Sequence, residues 1–229
     1  QNGRSTADIY FFAEQNARLV RNAEHYYRAL FHPAESSWNI RDRHMVETLA
    51  ELLAHLQSRQ GYAKVVVWAH NNHLGDARAT ELGRCGEVSV GQLVREAFPK
   101  QSTIIGFTSY GGTVTAASGW HLPPEPRELL PARPDSYEHL FHQVGIPSFW
   151  LDLTAENPGV KALNHPRLQR AVGVVYHAEA ERKHHYFQSH LPSQFDAIVH
   201  CDLTRAVEPL DRSERWRHNE ALETFPAGV

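Results

Sequence analysis

The 229-residue sequence predicts an α/β fold, a mainly parallel sheet with helices packed around it. Three observations support this. Helical and strand-length patterns alternate after residue 61. Several apolar runs are continuous rather than alternating, as strands buried on both faces require. Polar residues cluster where those runs stop, as at the carboxyl ends of strands in open α/β sheets. In order, residues 6–31 carry apolar positions at the helical period until Pro33 stops them, and residues 39–59 form a second long helix ended by Gly61. Strand-length runs follow at 63–69, 103–108, 147–153, 171–176 and 195–200. Helical patterns at 88–98 and 135–144 lie between them, the latter with Asp135 and Glu138 at capping-box spacing. The proline-rich stretch 119–134 reads as a surface loop or lid rather than a helix or strand. The expected organisation is a helical segment over 6–61, an α/β portion with active-site loops over 62–210, and a tail over 211–229.

Composition narrows the function classes. An apolar fraction of 41% supports a packed core, and a net charge of -3 with no basic stripe argues against nucleic acid as a partner. No run is apolar for long enough to span a membrane, and the two cysteines, Cys85 and Cys201, have no metal-like spacing. A cytoplasmic protein acting on a small-molecule substrate is expected.

The densest polar cluster ends the first apolar run, where "VVVWA" gives way to His70-Asn71-Asn72-His73. Two imidazoles and two carboxamides exceed what a turn needs. They suit a pocket in which neutral histidines act as acid, base or oxyanion donors while amides hold substrate. Solvated loop histidines and a metal pair remain alternatives, although the spacing and the missing neighbouring Glu depart from helical zinc motifs. The second helix adds a clue. Its apolar face, Leu49, Leu52, Leu53 and Leu56, extends back through Met45 and Val46 to Arg41 and Asp42 in the first turn. A core-facing arginine there needs either a protein partner or a ligand. His44, Glu51 and His55 fall on the opposite, solvent-facing stripe. Other run ends supply Tyr110 in "GFTSYGG" and Tyr176, with His185 in "ERKHHYF". No G-x-S-x-G elbow and no phosphate-binding loop is present.

The motifs "NIRDRHM", "VVVWAHNNHLG", "GFTSYGGTVTAA" and "RAVGVVYHAEAERKHHYFQSHLPSQFDAIVHCDLTRAVEPL" together resemble the erythromycin esterase family, which includes succinoglycan-biosynthesis-like proteins. The resemblance covers about residues 34–210. It implies a hydrolase of esters or lactones that uses histidine-activated water and neither a serine nucleophile nor a stable covalent intermediate. The family's Asn-x-Arg-Asp falls on Asn39, Arg41 and Asp42, and its Trp-Ala-His-Asn-x-His on Trp68, His70, Asn71 and His73. His70, His73 and Arg41 are therefore the expected catalytic residues. Asn39, Asp42, Asn71, Tyr110, Tyr176 and His185 are the expected substrate contacts. The family's Gly-Glu-x-Thr-His-Gly element, whose histidine is its presumed base, has no counterpart here, since "RCGEVSVGQ" has Gly-Glu without a following histidine. The chain is thus expected to be the carboxyl-terminal portion of a longer protein and an incomplete catalytic unit. No cofactor is expected. Two alternatives stay open: a divalent-metal hydrolase built on His70 and His73 with Asp76 or Asp42, and a non-catalytic small-molecule-binding or biosynthesis accessory protein.

Overall fold

The computed structural model describes residues 6–31 and 36–208, so Pro33 and the expected tail 211–229 lie outside the described residues. Helix α1 (Thr6–Ala29) lies against α2 (Ser37–Gln60). Short helices α3 (Asn71–Leu74) and α4 (Glu81–Arg84) precede α5 (Val90–Ala97). Then come β1 (Ile105–Thr108), β2 (Gly111–Ala116), β3 (Glu125–Leu129), α6 (Tyr137–His142), β4 (Ser148–Asp152), α7 (Pro158–Ala162) and β5 (Arg167–Arg170). Last come α8 (Glu181–His184), β6 (Tyr186–Ser189), α9 (Leu191–Gln194), β7 (Ala197–Cys201) and β8 (Leu203–Thr204).

The long helices fall where their patterns put them. Ser36 caps α2 by accepting the Asn39 N–H, and Gly61, at φ 77, closes it in the left-handed conformation that a side chain would oppose. The stripe expected to face solvent is instead covered by α1. His44 bonds Asn22 at 2.7 Å, Glu51 pairs with Arg18 at 2.8 Å, and His55 pairs with Asp8 at 3.0 Å and stacks on Phe11. Polar side chains at helical spacing can serve a polar helix–helix seam, which a periodicity argument reads as solvent.

The sheets are mixed, so the parallel character is partial. In the order β1-β7-β4, β7 runs parallel to β1 and antiparallel to β4. One face of this sheet, carrying Ile198 and the packed Phe149 and Leu151, meets a core of Tyr137, Phe141, Leu191 and Phe195. The register places Phe107, Val199 and Trp150 in one row on the other face. There Phe107 and Trp150 are exposed.

Several expected elements differ. Residues 63–69, expected as a strand, form no strand; Trp68 meets the Phe107 ring of β1 at 5.4 Å, and Asn71 occupies the Phe107 backbone. Residues 171–176 are not a strand either; the segment touches its neighbour through one bridge, Ala117 to Val175. The stretch 119–134, expected as a loop, contains β3, which pairs antiparallel with β2 from Glu125 to Leu129. Pro126 is tolerated because β3 is an edge strand. Helix α6 is capped by Ser136 and not by Asp135, whose carboxylate is held by Arg133. Glu138 accepts the Arg170 N–H rather than closing a capping box.

One close approach fixes where the site residues sit. A Cβ on Gly91, at the start of α5, would lie 1.7 Å from the Leu74 carbonyl oxygen at the end of α3. Gly91→Ala must therefore push α5 away from α3. The expected cost is about 3 kcal/mol, a fall in Tm of roughly 6–12 °C for a chain of this size. Gly86→Ala, at φ 92 with open space around it, should cost only about 1 kcal/mol. Equal Tm values for the two variants would contradict this packing.

Candidate functional site

The site grows from the first turn of α2. Trp38 donates its indole N–H to the Val88 carbonyl at 2.9 Å. Asn39 donates to the Gly86 carbonyl and accepts the Val88 N–H. Asp42, 0% exposed, accepts the Val90 N–H at the amino end of α5, where the helix dipole favours a carboxylate. These residues clamp loop 86–90 to α2. Asn39, expected at the substrate, thus has both ends of its carboxamide engaged by backbone.

The same carboxylate orients His73. Its Nδ1 donates to Asp42 Oδ1 at 2.8 Å and lies 3.0 Å from Oδ2. Arg41 Nη2 lies 3.5 Å from His73 Nε2, and a guanidinium can only donate, so Nε2 carries the lone pair. Trp38 stacks on the His73 ring at 4.2 Å and 3°, and the Arg41 guanidinium lies over the Trp38 ring at 5.0 Å. An aromatic plate and a buried carboxylate thus fix the imidazole with its basic nitrogen beside a cation. Two buried polar atoms at this place have no partner: Arg41 Nε and Asn72 Oδ1. Burial, aided by Asp42, pushes the nearby Glu87 carboxyl up.

His70 plays a different part. As the cap of α3, its Nδ1 accepts the Asn72 N–H at 3.2 Å, and its Nε2 must then donate to the Val172 carbonyl at 2.9 Å. Both nitrogens are committed to the neutral ring. The ring is open to a cleft while protein surrounds its nitrogens, and this desolvation, reinforced by His73, outweighs the Val172 bond and holds its pKa below the usual histidine value. Asn71 donates to the Phe107 carbonyl at 2.6 Å and accepts its N–H at 3.1 Å, standing in for a neighbouring strand.

The other expected contacts have partners outside the Asp42–His73 dyad. Tyr110 stacks on His142 at 3.6 Å, and His142 in turn bonds Asp202 at 2.8 Å. Tyr176 is 1% exposed, with its hydroxyl between the Leu130 N–H and Glu181, and burial pushes it up to about 12. His185 is buried, bonded to the His177 N–H and the Ala171 carbonyl. Neither polar end reaches open space. Asp76, named in the metal alternative, is held by Arg78 and Arg95. No group of three or more metal-ligating side chains occurs among the described residues. Sequence reasoning missed Trp38. It stands within a turn of Arg41 and could have been found as an aromatic beside the Asn-x-Arg-Asp motif.

The pattern of the erythromycin esterase family matches residues 1–204, and the chain belongs to that family. Three solved structures share the fold. A Bacillus cereus protein is 23% identical at a TM-score of 0.59, over 74% of this chain and 39% of its own. A protein described as a succinoglycan biosynthesis protein is 21% identical at 0.56, over 74% and 39%. A His-to-Asn mutant of the erythromycin esterase EreC in its open conformation is 21% identical at 0.53, over 77% and 40%. The chain therefore spans about two fifths of the length of these relatives. No described helix is long and apolar enough to cross a membrane.

The lowered pKa of His70 has a consequence for stability. The unfolded chain takes up a proton near the ordinary value, about 6.5, before the native one does. Stability therefore falls as pH drops from that value towards the lowered one, and no further below it. His70→Asn keeps a good cap but removes the titration. Tm measured against pH should fall less steeply on the acid side for this variant than for the parent chain. Parallel curves would refute the assignment.

Proposed function

We propose that the chain carries part of a hydrolytic centre that opens esters or lactones with water activated by His73. The observation that carries this reading is the alignment Asp42–His73–Arg41. The carboxylate holds the Nδ1 proton, Nε2 is left as the base, and a guanidinium waits beside it for the developing oxyanion. In the proposed step, His73 Nε2 takes a proton from water as the oxygen attacks the ester carbonyl. Arg41 moves from Nε2 to the carbonyl oxygen, and its unpaired Nε supplies a second donor. The imidazolium, stabilised by Asp42, then returns the proton to the departing alkoxide. The two sides of the step balance: the acyl–oxygen bond breaks and one water is added. His70 serves as the neutral, rigid wall that sets the position of α3 and, through it, of His73. Family membership supports a hydrolase at the coarse level, and the ester or lactone substrate is this proposal's own.

The test is hydrolysis of p-nitrophenyl butyrate and of erythromycin, the latter followed by a mass gain of one water. Asp42→Asn should lower kcat on the order of 10³-fold, because the tautomer of His73 is no longer fixed. Arg41→Lys should lower kcat/KM by about 10–100-fold, since a point charge replaces a planar, two-sided donor. Unchanged kinetics in either variant, measured in the full-length protein that carries this chain, would overturn the reading, as would the absence of turnover of both probes there. Loss of turnover on chelation would replace the dyad with a metal centre.

A further inference from the structure

A cavity of about 620 Å³ lies where α4, α5 and α9 approach the turn after α3. Three guanidiniums line it, each from a different element: Arg78 from that turn, Arg84 from the end of α4 and Arg95 from α5. The one carboxylate on its wall is fully engaged. Asp76 is 4% exposed; its Oδ1 accepts from the Arg78 backbone N–H and Nε, and its Oδ2 from Arg78 Nη2 at 2.7 Å and Arg95 Nη1 at 3.3 Å. Arg95 is also held by Asp196 at 2.7 Å and by the Ser193 carbonyl at 2.6 Å, and Arg78 lies 3.5 Å from Glu96. Neither Asp196 nor Glu96 lines the cavity. His190 and Ser193 are engaged as well, since the Ser193 hydroxyl donates to Nδ1 at 2.7 Å and Nε2 donates to Asn164 Oδ1 at 2.8 Å. Arg84 stands apart. It is exposed, and among the described residues no hydrogen bond or ion pair engages its guanidinium.

We propose that this cavity binds a phosphomonoester, whose phosphate group is held by Arg84 and by the N–H groups that Arg78 and Arg95 leave free. A guanidinium carries five N–H donors, and the contacts named above use three on Arg78 and three on Arg95. Those same contacts fix both guanidinium planes before a ligand arrives, so little side-chain freedom is lost on binding. Three carboxylates already balance Arg78 and Arg95, and the unpaired charge is that of Arg84. Geometry favours phosphate over carboxylate. A carboxylate presents two oxygens and meets one guanidinium edge, whereas a phosphate monoester presents three terminal oxygens to donors arriving from three elements. Volume favours the ester over the free ion. The cavity falls within the roughly 300–1,000 Å³ usual for small-molecule sites, most of which a lone phosphate would leave unfilled.

Binding is measured on the 229-residue chain near neutral pH and at constant ionic strength, by phosphorus NMR and by Tm. The probes are glucose 6-phosphate, inorganic phosphate and glucose. Glucose 6-phosphate should shift or broaden its phosphorus resonance saturably and, in large excess, raise Tm by about 3 °C or more. Inorganic phosphate should bind several-fold more weakly, and glucose should leave Tm unchanged. Arg84→Gln should weaken the ester on the order of tenfold. Its Tm without ligand should equal that of the parent chain, because Arg84 has no protein partner to lose. Arg84→Lys keeps the charge without the planar fork and should lose less. Absence of a saturable response to the ester would overturn the proposal, as would equal affinity in Arg84→Gln, which would put the anion elsewhere. A Tm rise with glucose alone, or equal affinity for phosphate and its ester, would overturn the assignment of a phosphomonoester. None of these readouts involves hydrolysis, so this site and the Asp42–His73–Arg41 reading can fail separately.

Discussion

The buried carboxylate of Asp42 is the constraint around which this end of the molecule is arranged. A carboxylate with no exposure must have its oxygens satisfied, and it does so with two partners from different parts of the chain: His73 on α3 and the Val90 N–H that opens α5. Because α2 supplies the carboxylate, three helices distant in sequence are fixed at one point. Trp38 and Asn39, one turn earlier, extend the clamp to loop 86–88. Neutral replacement of Asp42 would disturb both the helix junction and the orientation of the imidazole.

The two histidines of the motif divide the labour. His70 spends both nitrogens on backbone groups and acts as a structural cap, whereas His73 keeps Nε2 beside Arg41. The division comes from position. His70 precedes α3 in extended conformation and turns back on its first N–H groups, while His73 lies on the helix itself and faces α2. Two side chains of one type, three apart, therefore meet opposite surroundings.

Much of this was legible in the sequence. The long helices, the run ends and the core-facing Arg41 and Asp42 follow from periodicity and from the cost of burying charge. The density of polar groups at 70–73 marked the place, and the Asn-x-Arg-Asp motif marked its counterpart. Less legible was the use of amides. Asn39 and Asn71 have the chemistry of substrate ligands, yet both bond backbone groups, because each faces a segment whose N–H and C=O lack a strand or helix partner. A carboxamide matches a peptide group in donor and acceptor, so composition cannot tell the two uses apart.

By itself the sequence determined the two long helices, the apolar face of α2, and the two motifs that carry the histidine, arginine and aspartate side chains. Only the tertiary structure decided which imidazole turns a nitrogen to Arg41, that α1 covers the polar stripe of α2, and that residues 63–69 form no strand. The reason is physical. Local periodicity reports which residues prefer to leave water, but strand pairing and hydrogen-bond partners depend on what lies across a gap, often dozens of residues away along the chain.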